Sequence, residues 1–255
     1  MRSIKTVFIT GASSGIGRAC AEIFAKNNYS LILNARRKNI LDEICHDLQK
    51  TYNTEILPLP FDVSNYTQVN EQIKNIPPQW RNIDVLVNNA GLALGKEPIS
   101  EGDPKDWDKV IDTNIKGLMY VSREVIPILT EKKSGHIINI GSIASKDVYS
   151  GGNVYCATKF AVDALTQSMR YELLQYNIKV TAIHPGRTQT EFSTVRFKGD
   201  KNKAKEPYAG FRPMDPCDVA ETIYYIASLP KHVNINELII VPSAQASSTC
   251  FNRVL

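Results

Sequence analysis

Nowhere do the 255 residues hold an unbroken apolar run of the ~18 that a spanning helix needs, which excludes a transmembrane anchor of that kind. Cysteine is sparse: Cys20, Cys45, Cys156, Cys217 and Cys250 are odd in number and show no Cys-x-x-Cys spacing. A disulfide framework and a zinc site are both disfavoured, and a reducing, cytoplasmic location is expected. The four histidines, His46, His136, His184 and His232, are scattered, without a His-Glu-x-x-His motif or a carboxylate beside them in sequence. Structural or surface roles are expected for them, and no metal. No proline-rich or glycine/serine linker, no internal period and no long block of like charge divides the chain. A net charge of +4 is modest, and no basic face interleaved with aromatics marks a nucleic-acid binder. Residues 1–9 carry one Arg and one Lys but no apolar core followed by a cleavage site, so they read as a strand, not a signal peptide.

What is present is a regular alternation. Short apolar runs rich in β-branched residues predict strands at 4–9, 30–35, 55–61, 83–87, 135–140, 178–183 and 238–241. Helical spacing predicts helices at 16–26, 38–51, 67–76, 106–129, 155–176 and 215–228. Such alternation calls for an α/β fold: one Rossmann-type, doubly wound parallel sheet with helices on both faces, and a hydrophobic content of 43% is ample for its core. Ligands of such sheets lie beyond the carboxyl ends of the strands, where the turn after strand one, Asp62, Asn89, Ser142 and Pro185-Gly186 all fall.

The first strand runs into Thr-Gly-Ala-Ser-Ser-Gly-Ile-Gly at 10–17. Gly11, Gly15 and Gly17 let the backbone approach a ligand, and the free N–H groups at the helix start attract an anion, so this turn is a phosphate cradle formed with Ser13, Ser14 and Ile16. Its Gly-x-x-x-Gly-x-Gly spacing differs from the common Gly-x-Gly-x-x-Gly fingerprint. Where an NAD site usually ends strand two in a carboxylate, this chain reads Asn34-Ala35-Arg36-Arg37-Lys38. Guanidinium groups there fit a 2′-phosphate, which points to NADP(H); the bland reading is a solvated basic turn.

Tyr155 and Lys159 stand four apart, on one helical face, thirteen residues after Ser142. An ammonium ~5 Å from the phenol, at an effective dielectric of ~20, lowers its pKa by about two units from ~10. Tyr155 would then exchange the substrate proton while Ser142 holds the substrate oxygen.

Taken in order, Thr-Gly-Ala-Ser-Ser-Gly-Ile-Gly, Asp62-Val63, Asn88-Asn89-Ala90-Gly91, Asn114, Ser142, Tyr155 to Lys159 and Pro185-Gly186 make the chain resemble the short-chain dehydrogenase/reductase family over nearly its whole length. The resemblance implies an oxidoreductase, usually a homotetramer, with Asn114, Ser142, Tyr155 and Lys159 as catalytic tetrad. Asn114 would support a water linking the lysine to solvent; the bland alternative is that it bridges backbone. Asp62, with Val63, would meet the adenine, Asn89 would lie near the ribose, and Pro185, Gly186, Thr188 and Thr190 near the nicotinamide end. Longer strings at 82–95, 151–155, 190–200 and 232–236 resemble the NADP-dependent 3-hydroxy acid dehydrogenase branch, whose substrates are of the serine, allo-threonine and 3-hydroxypropionate/malonic semialdehyde type.

The family usually carries an apolar pair after Pro-Gly, where this chain has Arg187 and Thr188. Arg187 is therefore a candidate for a substrate carboxylate. Residues 189–213 lack periodicity and carry Arg196, Lys198, Lys201, Lys203 and Lys205, as a substrate lid or as a solvated basic loop. Two readings stay beside the hydroxy acid enzyme: a broad carbonyl or 3-oxoacyl reductase, and a cofactor-sensing protein without turnover, against which the intact Ser142, Tyr155 and Lys159 speak.

Overall fold

A computed structural model describes residues 4–254; of the expected first strand, residues 1–3 lie outside the described part. Strands β1 (Thr6–Ile9) and β2 (Ser30–Ala35) are buried at every position, because helices cover both faces. With β3 (Ile56–Pro60), β4 (Ile83–Asn88), β5 (Gly135–Ile140), β6 (Ile178–Pro185) and β7 (Glu237–Ile240) they form one sheet in the order β3-β2-β1-β4-β5-β6-β7. Every neighbouring pair is parallel.

Alternate residues of each strand feed opposite layers. Val7, Ile9, Leu31, Leu33, Val85 and Val87 pack with α1 (Gly15–Lys26), α2 (Lys38–Tyr52) and α9 (Pro216–Ser228) through Phe24, Leu41 and Ile223. Phe8, Ile32, Leu86 and Ile137 pack the other way, on α3 (Tyr66–Lys74), α5 (Leu118–Lys132) and α6 (Asn153–Leu173), through Val69, Val125 and Val162. Each such fully buried side chain contributes roughly 1.5–3 kcal/mol, so the two layers hold the sheet firmly. The chain reverses its winding between β1 and β4, and a crevice opens there at the carboxyl ends.

Two expectations differ from the structure. The helix expected at 106–129 begins earlier, as α4 (Pro104–Ile111), capped by the Asp103 side chain, and then passes through a π turn (Asp112–Gly117) before α5. The Asn114 amide inside that turn bonds to the Leu92 peptide, a tertiary contact that helical spacing does not report. The aperiodic stretch 189–213 holds α7 (Phe192–Arg196) and α8 (Lys201–Lys205), too short to show a period.

His136 on β5 is a buried liability. Thr181 donates its hydroxyl proton to Ile235 O, so it accepts from His136 Nε2 at 2.8 Å, and Nδ1 is left without a partner. Burial pushes the His136 pKa down to about 3, against 6.5 for a free imidazole. Between those values the unfolded chain binds more protons, so stability falls as pH falls through that window, by up to about 1.4 kcal/mol per pH unit. His136→Gln keeps a donor for Thr181 and removes the titration. Its urea midpoint should therefore fall less steeply from pH 6 to pH 4 than the parent's, and identical slopes would exclude His136 as the source.

Candidate active site

The crevice is a cavity of about 400 Å³ lined along one side by Gly11, Ser13, Ser14, Gly15 and Ile16. Gly11 adopts φ +67°, a conformation open to glycine. Gly17 does not line the cavity: a Cβ there would lie 2.3 Å from Gly11 O and 2.4 Å from Asn89 Nδ2, so its smallness seats the helix against the turn. Asn89 lines the cavity and also stitches two strand ends together, donating through Nδ2 to Thr10 O at 2.9 Å and to Gly11 O at 3.2 Å. At the start of α1, Ser14 makes no side-chain cap, and no acidic residue sits in the first turn. Its N–H groups therefore face the cavity with the helix dipole behind them, a fit for a diphosphate.

At the far end, Arg36 and Arg37 both line the cavity and are half exposed. Arg36 lies 3.7 Å from Asp62, and Arg37 reaches Ser13 Oγ at 3.4 Å and Glu191 at 3.6 Å. These exposed pairs are weak, so both cations stay available to an anion. Asp62 also accepts from Ser64 N and Oγ, at 3.0 and 2.8 Å, and Val63 lies beside it on the wall.

The chemistry-bearing residues meet at the other end. Ser142, after β5, accepts from Ala144 N at 3.1 Å, which leaves its own proton to donate, and it lines the cavity together with Tyr155. Tyr155 and Lys159 rise from the first turns of α6; the Lys159 ammonium lies 5.8 Å from the Tyr155 ring and donates to Ile140 O at 2.8 Å. The expected lowering of the phenol is reversed: burial pushes Tyr155 above its ordinary value, against the smaller opposing pulls of Ser142 and Arg196. Burial also pulls Lys159 down to about 8, so it stays largely protonated at neutral pH. Asn114 does not line the cavity; Oδ1 accepts from Leu92 N and Nδ2 donates to Leu92 O, both at 2.8 Å, and to Thr158 Oγ1 at 3.0 Å. Every polar atom of its amide is engaged, as in the backbone-bridging reading.

Pro185, Gly186, Thr188 and Thr190 line the wall beside Arg187. The Arg187 backbone donates to Gln245 Oε1 at 2.8 Å, while its guanidinium lies 5.6 Å from the centre of the Phe251 ring and has no hydrogen-bond acceptor among the described residues. Arg196, expected among the free cations of the loop, is buried. It donates to Gly95 O at 2.9 Å, Tyr149 Oη at 2.6 Å and Gly151 O at 2.9 Å, clamping α7 to two rim loops. Lys198 pairs with Asp106 at 2.7 Å. Sequence reasoning missed Tyr149, Phe192, Tyr208 and Gln245 as lining residues, because nothing in their spacing marks them. It also placed no carboxylate near His184, whereas Asp163 and Glu237 converge on that imidazole from α6 and β7.

A parallel sheet with an anion-receptive glycine turn at its crevice and a Ser-Tyr-Lys group beside it defines a dinucleotide-type oxidoreductase site. Residues 5–201 match the short chain dehydrogenase family, and the chain belongs to it. Over 241 residues it is 43% identical to the NADP-dependent 3-hydroxy acid dehydrogenase YdfG of Salmonella typhi, covering 94% of this chain and 96% of that protein. Sulfoacetaldehyde reductase 2 of Chromohalobacter salexigens is 42% identical over 243 residues, 95% of this chain and 96% of the relative. Among solved structures, the closed form of serine dehydrogenase complexed with NADP+ superposes with a TM-score of 0.91 at 41% identity, covering 98% of this chain and 100% of that one.

Proposed function

We propose that this protein is an NADP(H)-dependent dehydrogenase of small 3-hydroxy acids, of the serine, allo-threonine and 3-hydroxypropionate/malonic semialdehyde type. The observation that carries the reading is the meeting, in one cavity, of an uncapped helix N-terminus, the Ser142–Tyr155–Lys159 group and Arg187, whose side chain has no hydrogen-bond acceptor among the described residues. When bound, NADP(H) supplies or accepts the hydride. Gly11 through Ile16 hold its diphosphate, Arg36 and Arg37 its 2′-phosphate, Asp62 and Val63 flank the adenine, and Pro185, Gly186, Thr188 and Thr190 border the nicotinamide. Ser142 donates to the substrate oxygen and fixes it beside Tyr155. In the reductive direction, a phenol kept neutral by burial is the proton donor to that oxygen, and the Lys159 cation stabilises the phenolate left behind. In the oxidative direction the same proton returns to Tyr155. Asn114 positions the Leu92 peptide and Thr158 next to Lys159.

Arg187 supports an acid substrate, because a partly buried, unpaired guanidinium is the group that pairs with a carboxylate. The names of the relatives point the same way: serine, 3-hydroxy acids and sulfoacetaldehyde all carry an anionic group near the reacting carbon. Residues 189–213 serve as the lid, with Phe192 edge-on to Tyr155 at 5.4 Å and Arg196 as its latch. A broad carbonyl or 3-oxoacyl reductase is the alternative. The homotetramer goes with the family resemblance, and the cytoplasmic location with the odd number and spacing of the cysteines; among the described residues no helix is long and apolar enough to cross a membrane.

Tyr155→Phe should lose about 10²–10⁴-fold in kcat while still binding NADPH, read by absorbance loss and by fluorescence titration. Turnover at the parent rate would end the catalytic assignment. Arg187→Leu should raise KM for serine or 3-hydroxypropionate by about tenfold or more and leave a neutral ketone unaffected; equal changes for both would favour the broad reductase. Arg36→Asp should shift the ratio of NADP to NAD efficiency toward NAD by about tenfold or more, since one charge-assisted contact becomes a repulsion. An unchanged ratio leaves the basic turn merely solvated.

A further inference from the structure

We propose that Asp163, His184 and Glu237 form a binding site for a divalent transition-metal ion of the zinc class, in which the Lys146 ammonium holds the ion's place until metal displaces it. The three ligands come from α6, β6 and β7, elements fixed by the sheet and its covering helix. His184 is fully buried, and its Nε2 makes no hydrogen bond among the described residues. Its other nitrogen sets the tautomer. Ser145 Oγ donates to Ser142 O, so it accepts from His184 Nδ1, 2.6 Å away, and the imidazole proton resides there. The Nε2 lone pair is then aimed at Glu237 Oε1, 3.5 Å away, and Asp163 Oδ1, 3.8 Å away.

A lone pair facing two carboxylate oxygens is repulsive unless a cation stands among them. Lys146 Nζ supplies one charge, 2.5 Å from Asp163 Oδ2 and 2.7 Å from Glu237 Oε1, and has no bond to Nε2. Protonating Nε2 instead is opposed by burial, which lowers the His184 pKa. A divalent ion satisfies all three groups and leaves a neutral site. Ligand atoms of one ion in each residue lie within 4.8 Å of one another. A tetrahedral ion with bonds of ~2.0–2.1 Å spaces its ligands roughly 3.3 Å apart, so the walls close by only a fraction of an ångström on two of the three sides described. The outer hydrogen bond that orients a metal-bound imidazole, Nδ1–H to Ser145 Oγ, already exists. An imidazole beside two carboxylates selects zinc-class ions over magnesium or calcium. Lys146, whose side chain is a quarter exposed, can swing outward and leave the fourth position to water.

The test is Zn²⁺ titration of the full, metal-stripped chain against a chelating dye, with Cys217→Ser and Cys250→Ser in every variant to remove the two exposed thiols. Lys146→Ala should bind one Zn²⁺ per chain about tenfold or more tighter than the parent, which corresponds to losing ~1.4 kcal/mol of competing ion pair. His184→Asn keeps a donor for Ser145 and removes Nε2, so it should weaken binding about 100-fold in either background. Co²⁺ substitution should give visible absorption bands that vanish with His184→Asn. Affinity unchanged by His184→Asn, or no binding in folded Lys146→Ala, overturns the proposal. Should Lys146→Ala fail to fold, the parent and His184→Asn alone decide it: equal Zn²⁺ affinity in that pair overturns it as well.

Discussion

The ammonium of Lys159 is almost sealed from solvent, and its hydrogen-bond acceptor is the carbonyl of Ile140, the last residue of β5, with no carboxylate paired to it among the described residues. A buried cation without a counter-charge costs several kcal/mol unless the surroundings hold it rigidly. That cost is met by packing: α6 lies on the sheet through Val162 and Met169, and the strand carbonyl cannot retreat because β5 is paired on both sides. The same constraint places Tyr155 one turn away, and Ser142 just past the strand end. Lys159 is thus a charge the fold keeps ready for a negative oxygen, and a phenolate at Tyr155 is the group in reach.

A second constraint ties the cofactor end to the reactive end. Thr10 Oγ1 accepts from Asn89 N and Ala90 N, both at 3.0 Å, and the Asn89 amide returns bonds to Thr10 O and Gly11 O. The glycine turn is therefore bonded to the end of β4, which continues through Gly91 to Leu92 and so to Asn114. A shift of the turn would be felt at the Asn114–Leu92 bridge and at Lys159. This is why a side chain at Gly17 is excluded although Gly17 never meets the cavity.

The sheet was legible in the sequence because its central strands are buried on both faces and read as continuous apolar runs, and the crevice followed from strand order. The reactive group was legible from spacing alone: Tyr155 and Lys159 must share a face whatever the tertiary fold. What spacing could not carry was energy. The i, i+4 geometry reports a nearby ammonium but is blind to desolvation, and desolvation sets the direction of the Tyr155 shift. Convergence over long separations was equally hidden. Asp163, His184 and Glu237 lie far apart in the chain and meet only because α6, β6 and β7 are neighbours in space. Asn114 was visible as a residue, but its engagement with Leu92, and the π turn around it, depends on a loop whose path no local pattern specifies.

The two arginines at the cavity wall show how little identity alone says of role. Arg196 stands within a sequence stretch rich in cations, yet each of its three hydrogen-bonding nitrogens has an oxygen, two of them backbone carbonyls of the rim. Its charge is used in holding α7 down, and a ligand carboxylate would have to break that clamp to reach it. Arg187 follows a strand end and stands out in the sequence only by replacing the usual apolar pair, and its guanidinium lies 5.6 Å from the centre of the Phe251 ring with no hydrogen-bond acceptor among the described residues. A guanidinium set against an aromatic face keeps its in-plane N–H groups available, and those are the groups a carboxylate can engage bidentately. Under the proposed function, selectivity for an acid would fall to Arg187, a residue outside the segment 189–213, and the Arg196 clamp would act separately.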